Sequence, residues 1–193
     1  MDALALQPAD YPGTYKLVGG RLCLDLVNTI SWPATEREHD WLDSPENLQR
    51  WLRAVGLAPL RSKDANLSAV AKLRADLTLV LRPLAHKQRP VRAALDALNL
   101  RIERAGTRRC IDASTLAWSW KSPGSAPDAL APVVLDAAEL VAGDHERLRY
   151  CPACDWLFED QTRNGQRRWC DMADCGSRDK ARRYYRRAQK KEA

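Results

Sequence analysis

The chain has 193 residues, of which 45% are apolar and 29% are charged, a composition typical of a folded globular protein rather than a disordered one. This length accommodates one ordinary domain and a small appended module. No uncharged stretch reaches the roughly 18 residues that a membrane-spanning helix needs. The N-terminus also lacks the basic and apolar regions of a signal peptide. These features argue against a membrane partner and indicate a cytoplasmic location.

The charge is distributed unevenly along the chain. Residues 1–146 contain 18 basic and 18 acidic side chains, whereas residues 147–193 contain 13 and 7. The whole excess of +6 therefore lies in the last quarter, where four of the six cysteines also occur. Both shifts predict three regions. These are a flexible arm over residues 1–13, a helical domain over residues 14–146 and a basic C-terminal module over residues 147–193.

The first half of the chain shows mainly helical periodicity. After the turn residues Gly19 and Gly20, apolar residues spaced three and four apart predict a helix from Leu22 to Ile30, although a strand is an alternative for the same stretch. Residues 31–43 are expected to form an irregular surface segment. Ser44 followed by Pro45 then predicts a capped helix that ends at Gly56.

Further helices are predicted over residues 64–88 and 90–105, with Pro83 as a kink or an end of the first of them. Residues 108–121 change to an alternating pattern, which predicts a short β-hairpin. A last helix is expected from about residue 131 to residue 148. The fold class predicted is thus a mainly α N-terminal domain with a small β-hairpin, followed by a cysteine-rich module. Most of the seven tryptophans occupy amphipathic positions and are expected in the core.

The cysteine-rich module has the spacing of a metal site. Its ligands follow the pattern C-x2-C-x15-C-x4-C and are Cys151, Cys154, Cys170 and Cys175. A two-residue gap lets a cysteine pair present both sulfurs to one ion, and the longer gap is close to that of zinc ribbons. Disulfides are disfavoured in a chain without an export signal. The pattern therefore predicts one Zn²⁺ ion, with iron as the alternative metal.

The predicted zinc ion is structural rather than catalytic. A catalytic zinc ordinarily has three protein ligands and one position open to water, whereas four thiolates complete a tetrahedron. The arrangement of histidine, glutamate and proline that zinc deaminases require is also absent from the sequence. No other catalytic motif is evident, so the sequence predicts that the protein is not an enzyme. Zinc would instead supply folding free energy to the module.

A basic helix is predicted directly after the last cysteine, with Ser177 as its N-cap and Asp179 in its first turn. Its apolar stripe, which includes Tyr184 and Tyr185, is expected to pack on the zinc module. Arginine side chains on such a helix suit contacts with phosphates and base edges. The candidate nucleic-acid-binding residues are Arg178, Lys180, Arg182, Arg183, Arg186 and Arg187. The alternative is a solvated cationic terminus that complements the helix dipole.

The segment CPACDWLFEDQTRNGQRRWCDMADCGSR resembles the CGNR zinc finger, and the four cysteines match its metal ligands. Upstream, GGRLCLDLVNT (19–29) and DWLDSPENLQRWLRAVGL (40–57) resemble the ABATE domain that usually precedes this finger. Together the resemblances span about residues 15–191. They imply a bacterial transcriptional regulator, linked to stress, that binds DNA. Ser177 stands where the motif has asparagine, whereas Arg178 matches the arginine of the motif.

The sequence supports two hypotheses about function. In the first, the protein is a zinc-containing transcriptional regulator that binds DNA, and its N-terminal domain senses a ligand or mediates assembly, for example as a homodimer. Arg21, Asp25 and Asn28 are the polar candidates for ligand binding; alternatively Asp25 and Asn28 occupy the outer face of an amphipathic helix. In the second, the finger docks on an acidic protein surface. RNA is a variant of the first hypothesis.

Overall fold

A computed structural model of the protein describes residues 4, 6, 14–33 and 35–192. Within these residues the chain is mainly helical, and its short strands pair as three antiparallel hairpins. The helices are α1 Leu22–Val27, α2 Pro45–Ala54, α3 Leu67–Ala85, α4 Arg92–Gly106, α5 Ala126–Ala129, α6 Ala131–Ala142 and α7 Ser177–Glu192. The hairpins are β1 Ile30–Ser31 with β2 His39–Asp40, β3 Arg109–Ile111 with β4 Trp118–Trp120, and β5 Leu148–Tyr150 with β6 Leu157–Glu159. The predicted fold class is confirmed.

Local signals in the sequence account for the helix boundaries. Ser44 accepts a hydrogen bond from the backbone N–H of Asn47 at 3.3 Å, and Pro45 opens α2, as predicted. Asn66 caps α3 in the same way, with the Ala69 N–H at 3.0 Å. Pro83 lies in the last turn of α3, which ends two residues later. Proline has no N–H to bond the carbonyl four residues earlier and its ring crowds that carbonyl, which agrees with the end of the helix within one turn of Pro83.

The prediction of an irregular surface segment over residues 31–43 is wrong. Residues on either side of an exposed, charged loop pair as β1 and β2, and the following Trp41 and Leu42 are buried in the core. The Trp41 indole N–H donates to the Ser31 hydroxyl at 2.8 Å. Arg74 of α3 donates to the Asp40 carboxylate at 2.7 Å and anchors β2 from the other side. Because the loop between the two short strands is charged, the hydrophobic periodicity of the sequence does not indicate this pairing.

The last predicted helix is also shorter than expected. It ends at Ala142, where Gly143 follows, and the stretch Leu148–Tyr150 forms strand β5 instead. The side chain of Leu148 is fully buried and belongs to the same core as α3 and α6. The chain therefore leaves the helical region by entering the hairpin that carries the first cysteine pair.

The core is formed by α1, α3, α4 and α6 together with large side chains from the N-terminal half. Tyr15 lies fully buried beside Trp51, whose indole N–H donates to the Tyr15 hydroxyl at 3.2 Å. Buried tryptophans were expected, and Trp41 and Trp51 confirm this. The same expectation is wrong for Trp118 and Trp120 of the β3–β4 hairpin, whose side chains are 66% and 37% exposed.

Nearly all of the predicted flexible arm over residues 1–13 lies outside the described residues. Of the two residues described there, Leu4 donates its backbone N–H to the Tyr15 carbonyl at 2.8 Å, and Leu6 is buried. Among the described helices, none has the length and apolar composition needed to cross a membrane.

Candidate metal centre and basic surface

Four cysteine thiols converge on one point at the C-terminal end of the chain. The Sγ atoms of Cys151, Cys154, Cys170 and Cys175 all lie within 4.8 Å of one another, and all four residues are buried. The Cys154–Cys170 and Cys170–Cys175 sulfur separations are 3.5 and 3.7 Å. A tetrahedral zinc ion with Zn–S bonds of about 2.3 Å places its sulfurs about 3.8 Å apart. The cluster therefore fits one zinc ion with four thiolate ligands.

The first cysteine pair lies in the turn of the β5–β6 hairpin. The Asp155 N–H donates to the Cys151 carbonyl at 2.8 Å, and the Cys151 N–H donates to the Trp156 carbonyl at 2.8 Å. Asp155 has a φ of 67°, a left-handed conformation that aspartate tolerates better than most residues. The tight turn brings the Cys151 and Cys154 sulfurs to the same side of the hairpin.

The second pair is presented by a loop and a helical turn. Asp160 is fully buried and accepts hydrogen bonds from the Thr162 and Arg167 backbone N–H groups at 3.0 and 2.7 Å, which closes the loop after β6. Arg167 lies over the Phe158 ring at 4.8 Å and donates to the Trp169 carbonyl at 2.9 Å. These contacts fix the chain just before Cys170.

Cys175 lies within a wide helical turn over Met172–Gly176 that runs directly into α7. Asp171 caps this turn by accepting from the Ala173 N–H at 2.8 Å. The prediction that Ser177 caps the basic helix is therefore wrong, because Ser177 already has helical backbone angles. Its hydroxyl instead donates back to the Met172 carbonyl at 3.4 Å.

Arg178 is tied to the metal centre. Its guanidinium donates to the Cys175 Sγ at 3.2 Å and lies 5.9 Å from the centre of the Trp32 ring. Four thiolates and one Zn²⁺ carry a net charge of about −2, so a cation hydrogen-bonded to a ligand sulfur stabilises the cluster. This predicted nucleic-acid contact thus has a partner within the protein.

The finger is joined to the N-terminal domain along the outer edge of β6. The Asn28 side-chain amide donates to the Leu157 carbonyl and accepts from the Leu157 N–H, both at 2.8 Å. Two residues further on, the Glu159 N–H donates to the Gly19 carbonyl at 2.8 Å. The segment around α1 therefore satisfies the edge of β6 as a third strand would. Leu157 is fully buried in the core of the N-terminal domain.

Polar contacts reinforce this junction on both sides of the finger. The Trp156 indole N–H donates to the Ile30 carbonyl at 2.9 Å. Arg82 of α3 forms an ion pair with Asp155. Lys16 lies 3.1 and 2.6 Å from the carboxylates of Asp171 and Asp174. The zinc module consequently shares a core and an extensive polar interface with the helical domain.

The remaining cations of α7 differ in their surroundings. Arg183 forms an ion pair with Asp179 one turn earlier at 3.0 Å. Lys180, Arg182 and Arg186 are exposed, and no carboxylate within the described part of the chain pairs with them. The side chain of Arg187 lies outside the described residues. Their role in nucleic-acid binding stays a prediction.

The prediction that the apolar stripe of α7 packs on the zinc module is wrong for Tyr184 and Tyr185. Tyr184 and Tyr185 are exposed and contact each other edge to face, with ring centres 5.8 Å apart. Helix α7 therefore presents both cations and aromatic rings to solvent.

Two further exposed cations were missed by the sequence reasoning. Arg163 and Arg168 lie on the loop between the two cysteine pairs, where they line a groove of about 900 Å³ with Asn164 and Gln166. Arg168 also lies 5.1 Å from the centre of the Trp169 ring. The sequence signal for them is the charge excess of residues 147–193, to which both arginines contribute, whereas the predicted contacts were confined to the helix.

The three predicted ligand-binding residues lie close together in and beside α1, and each is engaged by the protein itself. Arg21 donates to the Asp136 carboxylate at 3.0 Å, and Asp25 accepts from the Gly19 N–H at 2.8 Å. Asn28 holds Leu157, as described above. The alternative that Asp25 and Asn28 face solvent is wrong, because both are buried. Burial raises the pKa of Asp25 from its ordinary value to about 7.

A cleft of about 980 Å³ opens between the finger and the N-terminal domain. Its walls combine two indole rings with charges of both signs and three of the cysteines. The lining includes Lys16, Trp32, Arg37, Trp156, Asp171 and Arg178. Such clefts between structural units are common sites for small molecules, and this one lies outside the segment carrying Arg21, Asp25 and Asn28.

A cluster of four cysteines, a following basic helix and a helical domain that holds both define a zinc-finger protein. Residues 147–188 match the CGNR zinc finger, so the cluster holds one structural zinc ion. Residues 20–144 match ABATE, whose description is "Putative stress-induced transcription regulator". This match covers more than half of the chain, and the protein belongs to that family. Neither family is a family of enzymes. A search of curated proteins found no match.

Proposed function

We propose that the protein is a zinc-containing transcriptional regulator that binds duplex DNA through its finger and helix α7. The observation that carries the proposal is the group of exposed cations on α7, namely Lys180, Arg182 and Arg186, immediately after the last zinc ligand. Duplex DNA carries one negative charge per ~1.7 Å of axis. These cations have no ion pair within the described residues, so they can contact phosphates without breaking an existing contact. The cytoplasmic location stays a prediction, and the proposal assigns no catalytic activity.

The N-terminal domain has a positioning role in this proposal. Its contacts with Leu157 and Glu159 hold the finger, and its Lys16 holds the turn that leads into α7. A ligand that changes the junction would therefore change the direction of the basic helix. Ligand binding by Arg21, Asp25 and Asn28 stays a prediction, as does assembly into a homodimer.

The test is fluorescence anisotropy of labelled duplex DNA with zinc-loaded protein over a series of salt concentrations. Binding that involves Z phosphates gives a log–log slope of about −0.9Z. The double variant Arg182→Ala/Arg186→Ala should weaken binding on all sequences and make the slope less negative by about 2. Removal of zinc with a chelator should abolish binding, because α7 then loses its anchor at Cys175.

The matched control is Arg53→Ala/Lys63→Ala, which removes two exposed cations from the N-terminal domain. It should leave the slope unchanged if α7 forms the interface. No binding to random or upstream genomic duplexes at about 150 mM salt contradicts the proposal, as does an equal effect of the two double variants. Competition with unlabelled RNA of the same length decides whether duplex DNA is preferred.

A second function is favoured by the exposed tyrosines of α7. Tyrosine and arginine are enriched at the centres of protein interfaces, and Tyr184 and Tyr185 lie among arginines here. In this alternative the finger is an interaction module that docks on an acidic protein surface. Tyr184→Ala/Tyr185→Ala would then abolish co-purification of a specific partner protein, while affinity for DNA would be absent in the wild type.

A further inference from the structure

The β3–β4 hairpin turns its apolar side toward solvent. Arg109 is opposite Trp120 and Ile111 is opposite Trp118. Cross-strand partners and alternate residues share one side of a hairpin, so these four side chains form one surface, here called the aromatic face. The other side carries Cys110 and Ser119, which are half-buried. Because an ordinary surface hairpin places its apolar side inward, this orientation is inverted.

Arg109 gives the aromatic face a positive charge. Its guanidinium carbon lies 4.5 Å from the centre of the Trp118 ring and 5.7 Å from that of Trp120. Over the described residues, no carboxylate forms an ion pair with Arg109. The cation is thus held against two indoles and stays available to an anionic partner.

A second cation lies beside the aromatic face. Of the neighbouring arginines, Arg101 is ion-paired with Asp76 and Arg108 with Asp128. The Asp112 carboxylate lies in the turn of the hairpin, where it accepts from the Ser114 and Thr115 N–H groups at 2.9 Å each. Lys121 is exposed at the end of β4 and donates to a backbone carbonyl, that of Thr107, at 2.8 Å. Arg109 and Lys121 are thus two cations beside the tryptophans that can contact an anionic partner.

From these observations we infer that the aromatic face binds unpaired nucleotides of a single-stranded nucleic acid. Trp118 and Trp120 lie two residues apart on one strand, where each ring can stack on one base. Sheet-based modules bind single strands through aromatic side chains on their strands. Arg109 and Lys121 contact the flanking phosphates. This site is separate from the finger, and the inference does not depend on duplex binding by α7.

Nucleic acid explains the combination of features better than a protein partner does. Base stacking uses the flat faces of the indoles and tolerates any sequence, because every base has a π-face. The exposed cations meet the phosphates at the same time. An acidic peptide also accounts for the charge, but stacking on two rings of one strand needs two planar groups in succession, which neighbouring bases supply in any sequence.

The experiment measures binding of a fluorescein-labelled 12-nucleotide oligo(dT) to zinc-loaded, full-length protein by anisotropy. Trp118→Ala/Trp120→Ala should weaken binding at least tenfold, because each stacked base contributes substantially to affinity. Trp118→Phe/Trp120→Phe should retain most of the affinity. The matched control is Leu79→Ala/Leu100→Ala, which removes two exposed apolar side chains from α3 and α4 and should have no effect.

All variants are repeated in the Arg182→Ala/Arg186→Ala background, so that a contribution from α7 is measured separately. The hairpin substitutions should retain their effect there, and duplex binding should change less than twofold. The inference is overturned if oligo(dT) does not bind, or if both tryptophan variants bind as the wild type does. It is equally overturned if sedimentation shows a dimer that Trp118→Ala/Trp120→Ala dissociates without loss of oligo(dT) affinity, since the aromatic face is then an interface between two copies.

Discussion

The side chain of Asn28 is the contact whose removal tests the docking of the finger most directly. Asn28 and Leu157 are buried, with exposures of 1% and 0%, and their two hydrogen bonds are both 2.8 Å long. In Asn28→Ala the N–H and carbonyl of Leu157 lose their partner without gaining water. An unsatisfied buried polar group costs about 1–3 kcal/mol. The expected loss of unfolding free energy is therefore about 2–6 kcal/mol, the sum for two such groups.

The effect should also reach the metal, because Leu157 lies three residues after the ligand Cys154 on the same hairpin. Urea unfolding of zinc-loaded protein measures the free energy, and transfer of zinc to a chromophoric chelator measures retention of the metal. The matched control is Asn99→Ala on the exposed face of α4, which should alter neither quantity. A loss below about 0.5 kcal/mol for Asn28→Ala, the range of ordinary surface substitutions, would refute the assigned role.

Two further predictions concern Asp25 and Arg178. Burial raises the pKa of Asp25 to about 7, so near neutral pH this carboxyl is partly protonated in the folded protein and ionised in the unfolded chain. The free energy of unfolding should therefore fall by about 1.4 kcal/mol between pH 6 and pH 8. Asp25→Asn should remove this trend, and urea unfolding of wild type and variant at both pH values measures it; parallel pH profiles would contradict the assignment. Arg178→Ala should accelerate zinc transfer to a chelator by about tenfold or more, as loss of a group hydrogen-bonded to a metal ligand does. An unchanged rate together with weaker DNA binding would instead make Arg178 a nucleic-acid contact alone.

The zinc ligands were predictable because their signal is local. Cys151 and Cys154 are separated by two residues in a turn, and the metal itself dictates the residue type and number. The capped start of α2 at Ser44 was predictable for the same reason, since a cap and a following proline act within one turn. The β1–β2 pairing was not, because a charged loop separates two strands of only two residues each. Pairing of such short strands depends on tertiary contacts, here the ion pair between Arg74 and Asp40.

The polar residues of α1 show where sequence reasoning reaches its limit. A buried amide that binds a ligand and one that binds a distant backbone have the same pattern in the sequence. Asn28 belongs to the second kind, and its partner lies 129 residues away. Spacing within a helix carries no information about that partner, so ligand binding was a natural hypothesis for the same residue.

The junction also changes the physical role of the zinc ion. A module of this size cannot fold on its own core and depends on its metal, yet here Leu148 and Leu157 belong to the core of the N-terminal domain. Part of the folding free energy of the finger therefore comes from that domain, through the β5–β6 hairpin. The second cysteine pair lies outside this core, on a loop closed by Asp160 and a helical turn held by Lys16, Arg178 and the metal. Loss of zinc should consequently release Cys170, Cys175 and helix α7 while the hairpin stays docked, so the metal controls the basic helix more than it controls the rest of the fold.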